Sequence, residues 1–184
     1  MDIGASSYRR FLDGDDSGFT EIVKFYKDGL ILFLNGYVCN LTEAEDLVED
    51  TFFKIMVKKP RYTETGSFKS WLYTIGKNLA INYLKYQSRH QQIAMEECED
   101  QLQNESFERE YLRDEQKATV YHALKELKPD YRSILLLVYI ENFSNLEAAT
   151  IMKKSLRQIE NLLYQAKRSL RSELEKEGFV YENL

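Results

Sequence analysis

The chain has 184 residues, 43% apolar and 30% charged with only 8 Gly and 2 Pro, which fits one or two small helix-rich globular domains and excludes a fibrous or low-complexity protein. Its longest apolar runs, Leu30–Leu34 and Ile134–Ile140, are too short to span a bilayer, and residues 1–16 lack the apolar centre of a secretory signal, so a cytoplasmic chain with no membrane insertion is expected. The formal net charge of -5 would disfavour nucleic acid if it were evenly spread. It is not: residues 59–90 carry 6 Lys+Arg against 1 Asp+Glu, residues 91–115 carry 2 against 9, and Lys153–Arg171 carries 6 against 1.

Taken in order, the first predicted element is a helix over Phe19–Cys39, with a broad apolar face and two glycines, Gly29 and Gly36, that argue against its continuity. A second helix is predicted from Thr42 to about Lys58, with Thr42 and Glu45 spaced as a capping box. Leu47, Val48, Phe52 and Ile55 point inward in this register, while Glu45, Asp46, Glu49 and Asp50 gather on the opposite side and suit water or a basic partner. The stretch KKPRYTETGS breaks the helix at Pro60 and forms a loop.

The third predicted helix, from about Ser67 to Arg89, carries two stripes. Leu72, Ile75, Leu79 and Tyr83 follow the spacing of a core-facing side. Trp71, Thr74, Asn78, Asn82 and Lys85 form the other, and Asn is a poor helix former that an ordinary wet face would replace with Glu or Lys. Aromatics beside amides and cations are what single-stranded nucleic acid needs, since bases stack on rings while cations hold the backbone. The adjoining loop, with Tyr62, Thr63 and Phe68, could take an extruded base.

Residues 91–115 are rich in Glu and Gln and poor in aliphatics, and read as a weak helix or a tether. Beyond them, Pro129 suits the first turn of a helix, and Ser144 with Glu147 and Ser155 with Gln158 mark two further helix starts. A short helix, a connection of Lys153, Lys154 and Ser155, and a longer basic helix have the spacing of a helix-turn-helix. Arg157, Gln158, Glu160 and Asn161 sit where such a helix reads base edges, and Lys167 and Arg168 where it meets phosphate. Cys39 and Cys98 stand alone without CxxC spacing, and the 2 His assemble no metal cluster, so no metal, cofactor, catalytic residue or small-molecule substrate is expected.

LTEAEDLVEDTFFKIM followed by GSFKSWLYTIGKNLAINYLK resembles the second conserved region of bacterial sigma factors, and ALKELKPDYRSILLLVYIENFSNLEAATIMKKSLRQIENLLYQAKRSLR resembles the fourth. The chain therefore resembles an extracytoplasmic-function (group IV) sigma factor of the sigma-70 family. The resemblance implies an all-α fold of two small helical domains: a region 2 domain over 1–90 and a region 4 helix-turn-helix domain over 116–184, joined by an acidic linker over 91–115. It implies binding of core RNA polymerase through Asp46, Leu47, Glu49, Asp50 and Phe52. It implies capture of the -10 element by Tyr62, Thr63, Phe68, Trp71, Asn78, Asn82 and Lys85. Reading of the -35 element falls to Arg157, Gln158, Glu160, Asn161 and Arg168. Promoter DNA and an anti-sigma factor are the further partners implied. Lys153 stands where the family commonly has Gly, Glu160 where a cation is frequent, and Gln165 where Arg is usual. A free-standing helix-turn-helix regulator is the alternative, using the last segment alone as a dimer on two half-sites.

Overall fold

The computed structural model describes residues 2–91, 115–176 and 178. The tether reading of residues 92–114 and the role of Cys98 lie outside the described residues. Among the described residues every regular element is helical: α1 (Ile3–Leu12), α2 (Asp16–Val38), α3 (Leu41–Lys58), α4 (Phe68–Gln91), α5 (Glu115–Lys125), α6 (Pro129–Leu135), α7 (Asn145–Met152) and α8 (Leu156–Lys176). The chain leaves α6 through a π-helical turn over Leu136–Ile140.

The first half is a bundle of α1 to α4. Ile22, Leu30, Phe33 and Leu34 of α2 meet Ile55 of α3 and Leu72 and Tyr73 of α4, and each is fully buried. Burying one such side chain stabilises by about 1.5–3 kcal/mol, so this stripe supplies most of what holds the bundle. The helix α1 was not expected from sequence. Its Ala5, Tyr8 and Phe11 recur at helical spacing and bury against the bundle. The cap of α3 also differs from expectation. Asn40, extended at φ -142, accepts the Glu43 N–H at 3.3 Å, two residues before the Thr42 and Glu45 pair.

The second half is α5 to α8, built around Ile134, Leu137, Ala148, Ile151, Ile159 and Ala166. Both predicted helix starts hold. The Glu147 N–H donates to Ser144 Oγ at 3.3 Å and the Ser144 N–H returns to Glu147 Oε2 at 3.0 Å. Gln158 and Ser155 make the same reciprocal pair at 3.3 and 2.8 Å.

The two halves pack on each other. Glu141, at the end of the π-helical turn, accepts from the Tyr73 hydroxyl at 2.6 Å and pairs with Lys69 Nζ at 2.8 Å. Lys77 Nζ donates to the Ile151 carbonyl at 2.9 Å, and Ser67 Oγ donates to Glu147 Oε1 at 2.6 Å. Arg132 of α6, buried, donates to the carbonyls of Leu124, Lys125 and Leu127 on its own half and of Gly36 on the other. Gly29 and Gly36 do not break α2, which runs unbroken through both. They let the second half approach. A Cβ at Gly29 would lie 2.6 Å from Glu141 Oε1 and from Tyr73 Oη, and one at Gly36 would lie 2.8 Å from Leu136 Cδ1.

Two outcomes follow. Glu141→Ala removes one charge-assisted hydrogen bond each from Lys69 and Tyr73, worth roughly 1.5–3 kcal/mol apiece, leaves Lys69 only its bond to the residue-141 carbonyl, and should enlarge the radius of gyration in small-angle scattering. Burial, then repulsion by Lys153, lowers Lys77 to about 8 from its ordinary 10.5. The packed form thus binds fewer protons there, so its stability relative to the separated form should rise between about pH 8 and 10.5, and Lys77→Met should flatten that dependence.

Candidate nucleic-acid interface

Packing splits α4 into two opposed sides. Lys69, Tyr73 and Lys77 face the second half and are half-buried to buried. The Trp71, Asn78, Asn82 and Lys85 side looks away from it. Asn82 and Lys85 are exposed, while Trp71 and Asn78 are half-buried. Trp71 is held in an aromatic group, its ring 5.3 Å from Tyr8, 5.4 Å from Tyr62 and 5.3 Å from Phe68. Tilted rings at such distances fix one another, and Tyr62 and Trp71 stay half-buried.

The loop 60–67 that joins α3 to α4 is tied to itself. The Tyr62 hydroxyl donates to the Gly66 carbonyl, and the Thr63 and Thr65 hydroxyls lie 3.4 Å apart. Burial, and then the nearby charge of Asp2, raises the Tyr62 phenol above its ordinary range, so it remains a neutral donor. Thr63 is exposed. Phe68 departs from its expected role: at 0% exposure it closes the loop's floor and cannot stack on a base without leaving the core.

On α3 the carboxylates and the apolar residues separate as predicted, with Asp46, Glu49 and Asp50 exposed. Leu47 and Phe52, expected to touch a partner, are 5% and 7% exposed and instead anchor α3 to the bundle. The reading missed three neighbours. Phe53, Met56 and Val57 are 59%, 41% and 52% exposed, and continue the carboxylate side at three- and four-residue steps. Counting on from Asp46 and Asp50 by that step finds Phe53 and Val57. An apolar patch beside acid is the composition of a docking surface.

The helix-turn-helix presents α8 outward. Arg157, Gln158, Glu160 and Asn161 near its start are exposed, as is Arg168, whose guanidinium lies 5.9 Å from the Tyr164 ring. Gln158 is only half available, because its side-chain carbonyl is held by the Ser155 N–H. Lys167 rests 5.2 Å over the Tyr139 ring. The turn is closed by Lys153 at φ 54 and ψ 45, the left-handed conformation that its sequence position suggested. Among the described residues no cluster of His, Cys, Asp or Glu could hold a metal, and no helix is long and apolar enough to cross a membrane.

Two sequence families match the two halves: Sigma-70 region 2 over residues 22–90, and Sigma-70, region 4 over residues 117–170. The chain belongs to the sigma-70 family. Among curated relatives, the RNA polymerase sigma-H factor of Pseudomonas aeruginosa is 28% identical over 85% of this chain and 86% of its own. The RNA polymerase sigma factor CarQ of Myxococcus xanthus is 30% identical over 73% and 76%. Among solved structures, the sigma factor RpoE of Bartonella quintana, in complex with the anti-sigma factor NepR, superposes with a TM-score of 0.67 at 22% identity, covering 85% of this chain and 96% of that one. With ECF sigma factors among its relatives, this is an RNA polymerase sigma factor of the extracytoplasmic-function branch.

For this sigma factor, Lys153→Gly should remove the strain of a side chain at positive φ, raising stability by about 0.5–1 kcal/mol in thermal unfolding.

Proposed function

We propose that this sigma factor binds core RNA polymerase through the exposed side of α3, reads the -35 element with α8, and traps the -10 element with the outer side of α4 and the loop 60–67. The observation that carries the reading is the Trp71, Asn78, Asn82 and Lys85 side of α4, left open while its opposite side is occupied. Asn78 and Asn82 offer amide donors and acceptors to base edges, Trp71 and Tyr62 offer ring faces, and Lys85 offers a phosphate contact. Asp46, Glu49 and Asp50, with Phe53, Met56 and Val57 beside them, suit a basic polymerase helix with an apolar ridge. Leu47, Phe52 and Phe68 act by fixing these surfaces from beneath.

Residues 1–90, 91–115 and 116–184 are the proposed region 2, linker and region 4. The chain has no catalytic role of its own in this reading. The free energy that opens the duplex comes from holding unpaired bases, at about 1–3 kcal/mol for each stacked base. Its place of work is the bacterial cytoplasm, and an anti-sigma factor is the proposed regulator, as NepR is found with RpoE.

The packed form cannot span a promoter. Compact halves of this length make a body roughly 40 Å across. The -35 and -10 elements lie about 80 Å apart along the duplex at 3.4 Å per base pair. Polymerase must therefore part the Glu141 and Lys77 contacts and set the halves at promoter spacing. With a net charge of -5, the isolated chain should bind duplex poorly.

Asn78→Ala tests the reading. It should keep polymerase affinity within about twofold while lowering open-complex formation roughly tenfold, the loss of one or two base contacts. Permanganate footprinting of holoenzyme on a promoter mapped by transcription from fragmented genomic DNA measures it. An unchanged footprint, with Arg157→Ala abolishing binding at paired half-sites without polymerase, would favour the free-standing regulator.

A further inference from the structure

The helix α1 lies before the stretch that matches region 2, which begins at residue 22. Its contacts converge on the loop 60–67. Asp2 uses both carboxylate oxygens as caps: Oδ1 accepts the Ala5 N–H of its own helix at 3.2 Å, and Oδ2 accepts the Phe68 N–H at the start of α4 at 2.6 Å. The buried Tyr8 donates its hydroxyl to the Pro60 carbonyl at 2.7 Å, where the loop begins. Arg9 pairs with Glu64 at 2.8 Å, and Glu64 sits at φ 56 near the loop's apex. Tyr8 also lies 5.4 Å from Phe68 and 5.3 Å from Trp71, ring to ring. Start and apex of the loop are thus held by two residues of one ten-residue helix, and its end by that helix's N-cap.

These ties differ in strength. Both partners of the Arg9 and Glu64 pair are more than half exposed, and water and salt screen it. The bond from the Phe68 N–H is charge-assisted and satisfies a helix-terminal donor that has no partner within α4. A non-glycine residue at positive φ, as Glu64 is, persists only where its surroundings hold it there.

We propose that α1 is a positioning element for base capture, with Asp2 and Arg9 holding the loop 60–67 in the shape that accepts an extruded base. This rests on the reading of that loop given above. Neither residue need touch DNA. A loop freed from Asp2 and Arg9 samples other shapes, and only the fraction in the competent shape captures a base, so affinity falls by that fraction. Asp2, Tyr8 and Arg9 are therefore determinants of promoter opening that lie outside the region 2 match.

The experiment uses holoenzyme assembled from core polymerase and the full chain, on two versions of one mapped promoter. The first is intact. The second carries an abasic site at the position that 2-aminopurine fluorescence shows to be unstacked. Asp2→Ala should lower open-complex formation on the intact promoter about tenfold, and leave the abasic promoter equal to wild type, because there is no base to capture. Arg9→Glu, an exposed change that leaves the fold intact, should cost about threefold on the intact promoter, and adding Glu64→Arg should restore it. Equal losses on both promoters would reduce α1 to a stabilising helix and overturn the proposal. So would full activity of both variants while Asn78→Ala is defective, which leaves the reading of α4 standing. Should Asn78→Ala also be fully active, the reading of α4 falls and the proposal with it.

Discussion

One helix, α4, has to satisfy two neighbours with opposite needs, and the arrangement of the rest follows from that. One side of it ends in Lys69, Tyr73 and Lys77, whose polar atoms are matched one by one by Glu141 and the Ile151 carbonyl. An unmatched cation or phenol at that depth is costly, so these residues commit the side to a protein partner. The other side carries amides, a half-buried indole and a lysine, which are tolerable in water. Because the helix is rigid, occupying one side does not close the other. Region 4 rests on α4 without covering Asn82 and Lys85.

The packed form combines a shared apolar core, with Phe143 5.0 Å from Tyr73 ring to ring and Leu136 against Gly36, with a few specific polar contacts. Such an interface has a defined geometry and a modest depth, since each hydrogen bond replaces one to water. Glu141 is its pivot, placed by a π-helical turn, a departure from α geometry that often marks working sites.

Much of this was legible in the residues. Periodicity gave α2, α3 and α4, and the Ser144 and Ser155 caps located the helix-turn-helix to the residue. Some of the missed features depend on partners distant in sequence, and others on a local competition or step. The α1 helix has only three buried apolar positions worth noticing until Trp71 and Phe68 are set against it. Leu47, Phe52 and Phe68 match a family motif that pools contacting and supporting residues alike, and only burial separates them. The predicted sides of α3 include neither Phe53 nor Val57, although their step from Asp46 places them outside. The Asn40 cap outcompeted Thr42 because its side chain already reached the Glu43 N–H.

The glycines of α2 carry one more consequence. Inside a helix each costs about 1 kcal/mol relative to alanine, through the backbone freedom it gives up. In the packed form that cost is offset, since only a residue without Cβ admits Glu141 and Leu136 so closely. Once region 4 departs, the cost stays and the offset is gone. The backbone amides around Gly29 and Gly36 then become the softest part of α2, exchanging with solvent sooner than the ends of the same helix would suggest. On the proposed reading, engaged and idle copies of this chain would thus differ in the suppleness of α2.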